Sequence, residues 1–172
     1  QYESDKLEKI TKGLLLLTKY TKDNIKNSFE LLELDSIVLN CINDIEIKAK
    51  EKNIKLIINE LEYIKIKSNR LLIYTIIINI LDNAIKYSNN NKKIYISLIR
   101  SSKIKIARDH SSIGIDSDEL EKITHRFYRV NKSRNKKIDG FGLGLSIVKN
   151  SIELLDGELQ INSTPNQGTT VK

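Results

Sequence analysis

The run NRLLIYTIIINILDNAIKYS, residues 69–88, constrains the fold more than any other stretch. It reads as one long helix, apolar enough to be buried, so other elements must pack around it. Its apolar centre, LLIYTIIINIL (71–81), is shorter than the ~18–20 residues that cross a bilayer and is interrupted by Asn79. No longer apolar run occurs, so no membrane segment is expected in this chain. The opening QYESDKLEK is charged and lacks the apolar core of a signal peptide. With 172 residues, the chain can build one sizeable core plus an appendage. Cys41 is the sole cysteine, so no disulfide forms within the chain; a reducing compartment and a buried, inert thiol are expected.

The other elements follow from periodicity. Leu7, Ile10, Leu14 and Leu17 recur at three, four, three, which predicts an amphipathic N-terminal helix with a coiled-coil-like seam. It would pair with another helix or fold onto its own domain. SFELLELDSIVLNCI changes from a strand-like run to a helix, with Asp35 as N-cap and an end near Asn53. Residues 54–60 and 63–67 alternate as strands, and 93–100 with 103–107 form a hairpin. A short helix over 116–128 starts at Asp116 or Ser117. The segment 129–140 is basic, polar and without period, so it reads as a loop. A helix over 144–157 ends at Gly157, and ELQINST and GTTVK close the chain as strands. Helices mixed with mostly antiparallel strands make an α+β fold, a two-layer α/β sandwich.

On the long helix Asn79, Asn83, Lys86 and Tyr87 lie on adjoining turns of one face. A cap or satisfied core amides would explain one asparagine, less readily two at i, i+4 followed by a lysine. An amide oxygen suits Mg²⁺, and a neutral asparagine beside a lysine attracts phosphate rather than repelling it. In DGFGLGLSIVK (139–149), Gly140, Gly142 and Gly144 alternate directly before a helix. Glycine lets a backbone approach a ligand, and a helix N-terminus favours an anion. The pattern is neither the dinucleotide fingerprint nor a Walker A loop. With the basic stretch YRVNKSRNKK (128–137) it points to a nucleoside triphosphate. The net charge of +7 invites a nucleic-acid reading, but the lysines are scattered through every segment and form no stripe, so no nucleic-acid partner is expected.

NILDNAIKYS resembles the N box of sensor histidine kinases, RFYRV (126–130) their F box, GFGLGLSIVK their second glycine box and PNQGTT (165–170) their third. The order and spacing match as well. The resemblance covers about residues 30–172 and implies the catalytic ATP-binding domain with the Bergerat fold, also found in the gyrase, MutL and Hsp90 families. Residues 1–29 resemble the second helix of the dimerisation domain. The resemblance implies that Asn83 coordinates the Mg²⁺ bridging the ATP phosphates. It places Asn79 near them, Lys86 and Tyr87 close to phosphate and nucleotide, and Arg129 with 130–140 in a lid. Gly140, Gly142, Leu143 and Gly144 would let lid and helix close on ATP, and Gly114 belongs to the first glycine box. Related ATPases carry a glutamate at the position of Asn79 as general base for water. An asparagine cannot take that proton, so the site is expected to hold ATP and deliver its γ-phosphoryl group to a histidine.

Two departures stand out. Counting back from Gly114, Ser112 occupies the family's first glycine and His110 the adenine-binding aspartate, with Asp109 one residue off. Either Asp109, moved by a bulge, or His110 must meet the adenine. ITHRFYR also stands where IFERFYR is usual. These changes motivate an alternative, a degenerate docking module with weak or no ATP binding. The second departure is the phosphoacceptor: neither His110-Ser111 nor His125-Arg126 fits the family's histidine followed by an acidic residue. The acceptor helix is therefore expected in a longer parent protein, a homodimeric membrane-bound sensor. This chain would form part of its cytoplasmic portion, and the phosphoryl group would pass on to a response regulator.

Overall fold

The computed structural model describes residues 20–100, 103–108, 114–130 and 141–172, the segment 103–108 by its backbone. The amphipathic helix expected from Leu7, Ile10, Leu14 and Leu17 lies outside the described residues. The described chain opens with a turn and a 3₁₀ helix at Ile25–Ser28. It continues through β1 (Glu30–Glu33), α1 (Leu34–Glu51), β2 (Lys55–Leu61), β3 (Lys65–Ser68) and α2 (Arg70–Lys86). Then come β4 (Lys93–Ile99), β5 (Lys103–Arg108), α3 (Ser117–Leu120), a 3₁₀ turn (Lys122–Thr124), α4 (Gly144–Leu154), β6 (Ile161–Thr164) and β7 (Gly168–Val171).

Five strands form one sheet in the order β2-β4-β5-β7-β6, while β1 and β3 pair separately. Only β2 and β4 run parallel among the described pairs; the others are antiparallel, as the sequence suggested. One face of the sheet carries the helices. On β4 every second residue, Ile94, Ile96 and Leu98, is fully buried, which is the period-2 signature of a strand with one covered face. These side chains meet Ile77, Leu81 and Ile85 of α2, Ile37, Val38 and Cys41 of α1, and Val148 of α4 in a single core. Each such burial is worth about 1.5–3 kcal/mol relative to exposure, so the core fixes α2 against the sheet with α1 and α4 packed beside it. The sandwich is α+β and two-layered, as expected. Cys41 has no exposed surface, and burial with the nearby Asp44 charge pushes its thiol up to about 12, so it stays protonated and inert.

The helix ends depart from the sequence reading. Asp35 does not cap α1: Glu33 holds that position, and the Leu34 N–H is taken by the carbonyl of Ile64, the residue just before β3, at 2.9 Å. The helix stops at Glu51, and Asn53 turns left-handed at φ 52°. The short helix expected over 116–128 splits, with Phe127 turned to φ 64° and its N–H bonded to the Gly142 carbonyl at 2.9 Å. The last helix ends at Leu154 instead of at Gly157, since Asp156 takes the left-handed turn at φ 54°. Residues 21–28 form turn and 3₁₀ structure, with Ile25 buried against Leu72 and Leu154.

Candidate functional site

The site begins with the way α2 is held. Asn69 caps its start: the side-chain oxygen accepts the Leu72 N–H at 2.9 Å, and the amide donates to Ser28 Oγ at 2.8 Å. Lys52, from the chain leaving α1, closes the other end. Its Nζ donates to the carbonyls of Ile85 (3.0 Å), Lys86 (2.7 Å) and Ser88 (3.1 Å), at and just past the end of the helix. Burial lowers the Lys52 ammonium pKa below its ordinary value. Nothing in the sequence pattern near Lys52 signals this role, because its partners lie more than thirty residues away.

Between these anchors the asparagine face is exposed in part. The Asn79 amide donates back to the Thr75 carbonyl at 2.8 Å, which leaves its oxygen outward. That oxygen points at the start of α4. A Cβ built on Gly144 would lie 3.2 Å from Asn79 Oδ1 and 3.3 Å from Asn83 Nδ2. Two motifs far apart in the chain therefore meet at contact distance, and a side chain at Gly144 would crowd the two amides. The first turn of α4 lies at this corner, bringing the positive end of the helix dipole beside the two amides. Leu143, buried at the N-cap position, uses its carbonyl to accept from the Ile147 N–H (2.9 Å) and Ser146 Oγ (2.8 Å), which fixes the first turn.

Gly142 is also committed. It sits at φ 69°, and a Cβ there would fall 2.4 Å from the Tyr128 carbonyl. The aromatic stretch before the basic loop is thereby latched to the glycine stretch after it, and Tyr128 further bonds to Glu119. Arg129 follows, partly buried and engaged with a neighbour. Gly114, at φ 68°, lies on the turn after β6, where a Cβ would fall 2.1 Å from the Thr164 carbonyl. The neighbouring Ile115 N–H bonds to Ser163 Oγ at 2.8 Å. The first and third glycine segments thus brace each other. Asp109, His110, Gly140 and the loop 131–140 lie outside the described residues.

Tyr87 is the C-cap of α2, exposed and bonded through its N–H to the Asn83 carbonyl at 3.1 Å. Lys86 does not stand alone: its Nζ lies 3.2 Å from Asp82 Oδ2, and Lys48 of α1 lies 2.7 Å from Asp82 Oδ1. Burial pushes the Asp82 carboxyl up, but the Lys48 hydrogen bond and both lysine charges outweigh it and hold it below the usual carboxylate range. The i, i+4 spacing of Asp82 and Lys86 was visible in the sequence; the contribution of Lys48 was not. His125 is exposed, on a surface cleft of about 630 Å³ beside the far end of α4.

The donor set suits a hard cation held together with phosphate. The corner offers neutral amides and the first turn of a helix. Among the described residues no group of three or more His, Cys, Asp or Glu side chains is placed to hold a metal by itself. No described helix is long and apolar enough to cross a membrane.

The family described as Histidine kinase-, DNA gyrase B-, and HSP90-like ATPase matches residues 68–172. Sensor protein kinase WalK of Staphylococcus haemolyticus is 28% identical over 173 residues, covering 98% of this chain and 28% of the relative. WalK of Staphylococcus aureus is 28% identical over 178 residues, covering 98% of this chain and 41% of the relative. The chain therefore spans less than half the length of these relatives. Among solved structures, full-length ShkA in complex with AMPPNP superposes with a TM-score of 0.79 at 16% identity, over 99% of this chain and 35% of that one. Acinetobacter baumannii histidine kinase AdeS gives 0.69 at 20% identity, over 99% and 79%. The catalytic domain of histidine kinase ThkA gives 0.65 at 25% identity, over 83% and 91%.

Proposed function

The chain belongs to the histidine kinase-, DNA gyrase B- and HSP90-like ATPase family, and from that premise we propose that it binds Mg²⁺·ATP at the corner between α2 and α4 and donates the γ-phosphoryl group to a protein histidine. It carries the catalytic ATP-binding domain of the sensor histidine kinase type. One observation supports the placing of the site above all: Gly144 and the first turn of α4 lie against Asn79 and Asn83. That corner joins helix-terminal N–H donors, amide oxygens and a nearby lysine, which together complement a polyphosphate.

In this reading Asn83 offers its amide oxygen to the metal, and Lys86 and the α4 N–H groups take the phosphate oxygens. Gly142 and Gly144 let the backbone close in, and Leu143 keeps the first turn rigid. Magnesium, when bound, would neutralise charge on the β- and γ-phosphates. Asn79 has no group that takes a proton from water, so hydrolysis is slow and the phosphoryl group is kept for its acceptor. An imidazole nitrogen of the acceptor attacks the γ-phosphorus in line while the β–γ bridging bond breaks and ADP departs. The acceptor helix, the dimer, the response regulator and a membrane-bound sensor as parent are the partners and setting that fit this chemistry. Adenine recognition would fall to Asp109 or His110. The alternative of a docking module without ATP gains no support from relatives that are named sensor protein kinases.

The test is transfer. The chain is mixed with γ-labelled ATP, Mg²⁺ and a separately supplied dimerisation-domain helix pair bearing a histidine followed by an acidic residue. Acid-labile, alkali-stable label on that histidine is expected. A folded chain that binds ATP but labels no histidine under any such pairing contradicts the proposal.

A further inference from the structure

Asp82 sits beside Asn83 on α2, and its two oxygens are divided between two lysines: Lys48 at 2.7 Å on Oδ1 and Lys86 at 3.2 Å on Oδ2. One lysine would neutralise it. The second comes from α1, 34 residues earlier, and makes the shorter contact. The Asp82 side chain is only 24% exposed. Stranding such a carboxylate without a partner is costly, because little water can replace the lost ion pair. Lys86 stands one turn from both Asp82 and Asn83, at i+4 and i+3, so it can serve either side of the helix. If Lys86 were the sole partner of Asp82, moving to a phosphate would leave a mostly buried charge behind.

We propose that Lys48 is a positioning residue for nucleotide binding: it keeps Asp82 paired, so that Lys86 is free to leave for a phosphate of the bound nucleotide. The proposal rests on the phosphate role given to Lys86 above. Lys48 also repels Lys86 across the shared carboxylate, which biases Lys86 toward the asparagine side. The simpler alternative is a staple between α1 and α2 that affects stability alone.

The two are separated by calorimetric titration of the 172-residue chain with a Mg²⁺-bound, non-hydrolysable ATP analogue, alongside thermal unfolding of each variant. Lys86→Met is expected to weaken binding roughly tenfold by removing a charge-assisted contact to phosphate. Lys48→Met is expected to weaken it about fivefold, through the lost compensation of Asp82. In the Lys86→Met background, Lys48→Met should change nothing further, because no lysine is left to release. Lys48→Arg, which still pairs with Asp82, should restore affinity to within about twofold. If Lys48→Met does not fold, Lys48→Gln takes its place in the same cycle. Unchanged affinity in the folded Lys48 variant overturns the proposal in favour of the staple. An equal loss with and without Lys86 overturns it in favour of a charge acting at a distance. Lys86→Met that binds like the parent removes the premise and the proposal while leaving a nucleotide site. No binding by the folded parent chain overturns the proposed function itself, and this inference with it.

Discussion

Asparagine serves two opposite purposes on α2. At its start Asn69 is 4% exposed, its oxygen holding the Leu72 N–H and its amide holding Ser28. Further along, Asn79 uses only its donor, on its own helix, and the Asn83 side chain has no hydrogen-bond partner among the described residues. The residue type is the same and so is the helix. What differs is whether the protein itself completes the hydrogen bonds. A satisfied, buried amide is part of the scaffold. A partly exposed amide left open, facing a glycine and a helix N-terminus, is the kind of group that the proposed function assigns to the nucleotide and its metal. The two anchored ends, Asn69 and Lys52, keep the open face between them in register.

The contrast breaks if the scaffold and the open face respond alike to mutation. Asn69→Ala should have the largest effect on stability. It removes an N-cap, strands the buried Leu72 N–H and takes one hydrogen bond from Ser28, which still donates to the Ile25 carbonyl; about 3 kcal/mol is expected in denaturant unfolding, with nucleotide affinity of the folded fraction unchanged. Lys52→Met should come next. Losing three hydrogen bonds from one cation to the end of α2 is expected to lower stability by about 2 kcal/mol, read the same way. Gly144→Ala should invert the pattern. Its Cβ would crowd the asparagine pair, so nucleotide affinity should fall roughly tenfold, or about 1.4 kcal/mol, while thermal stability stays the same or rises slightly from better helix propensity. Asp82→Asn should be smallest, under about 1 kcal/mol of stability at neutral pH. Because the folded Asp82 pKa is depressed, its contribution is present above the unfolded carboxylate value near ~4 and fades as pH falls below it. Unfolding curves of Asp82→Asn and the parent should therefore converge below about pH 4 and separate above it.

Much of this was legible in the sequence because it is local. The period of 3.6 gave α2, the i, i+4 spacing put Asn79 and Asn83 on one face, and alternation gave β4 with its buried Ile94, Ile96 and Leu98. The mostly antiparallel sheet and the sandwich followed. What escaped depends on partners far along the chain. Glu33 replaces Asp35 as the cap, with the Leu34 N–H met by the carbonyl of Ile64 just ahead of β3. Asp156 ends α4 ahead of Gly157 because a residue other than glycine accepted the left-handed turn. Lys52 and Lys48 act on groups more than thirty residues away, which no local pattern encodes. The meeting of Gly144 with the asparagines is also long-range; it was foreseeable only through the likeness of both segments to one family.

The most direct test is calorimetric titration of the chain and of Asn83→Ala with a non-hydrolysable ATP analogue, each with Mg²⁺ and with chelator. The account expects binding by the parent that weakens strongly when the metal is removed. It expects an Asn83→Ala variant of parental stability that binds weakly and no longer distinguishes the two conditions. Parental affinity and parental metal dependence in Asn83→Ala would show that the open asparagine face is not where the nucleotide and its metal are held.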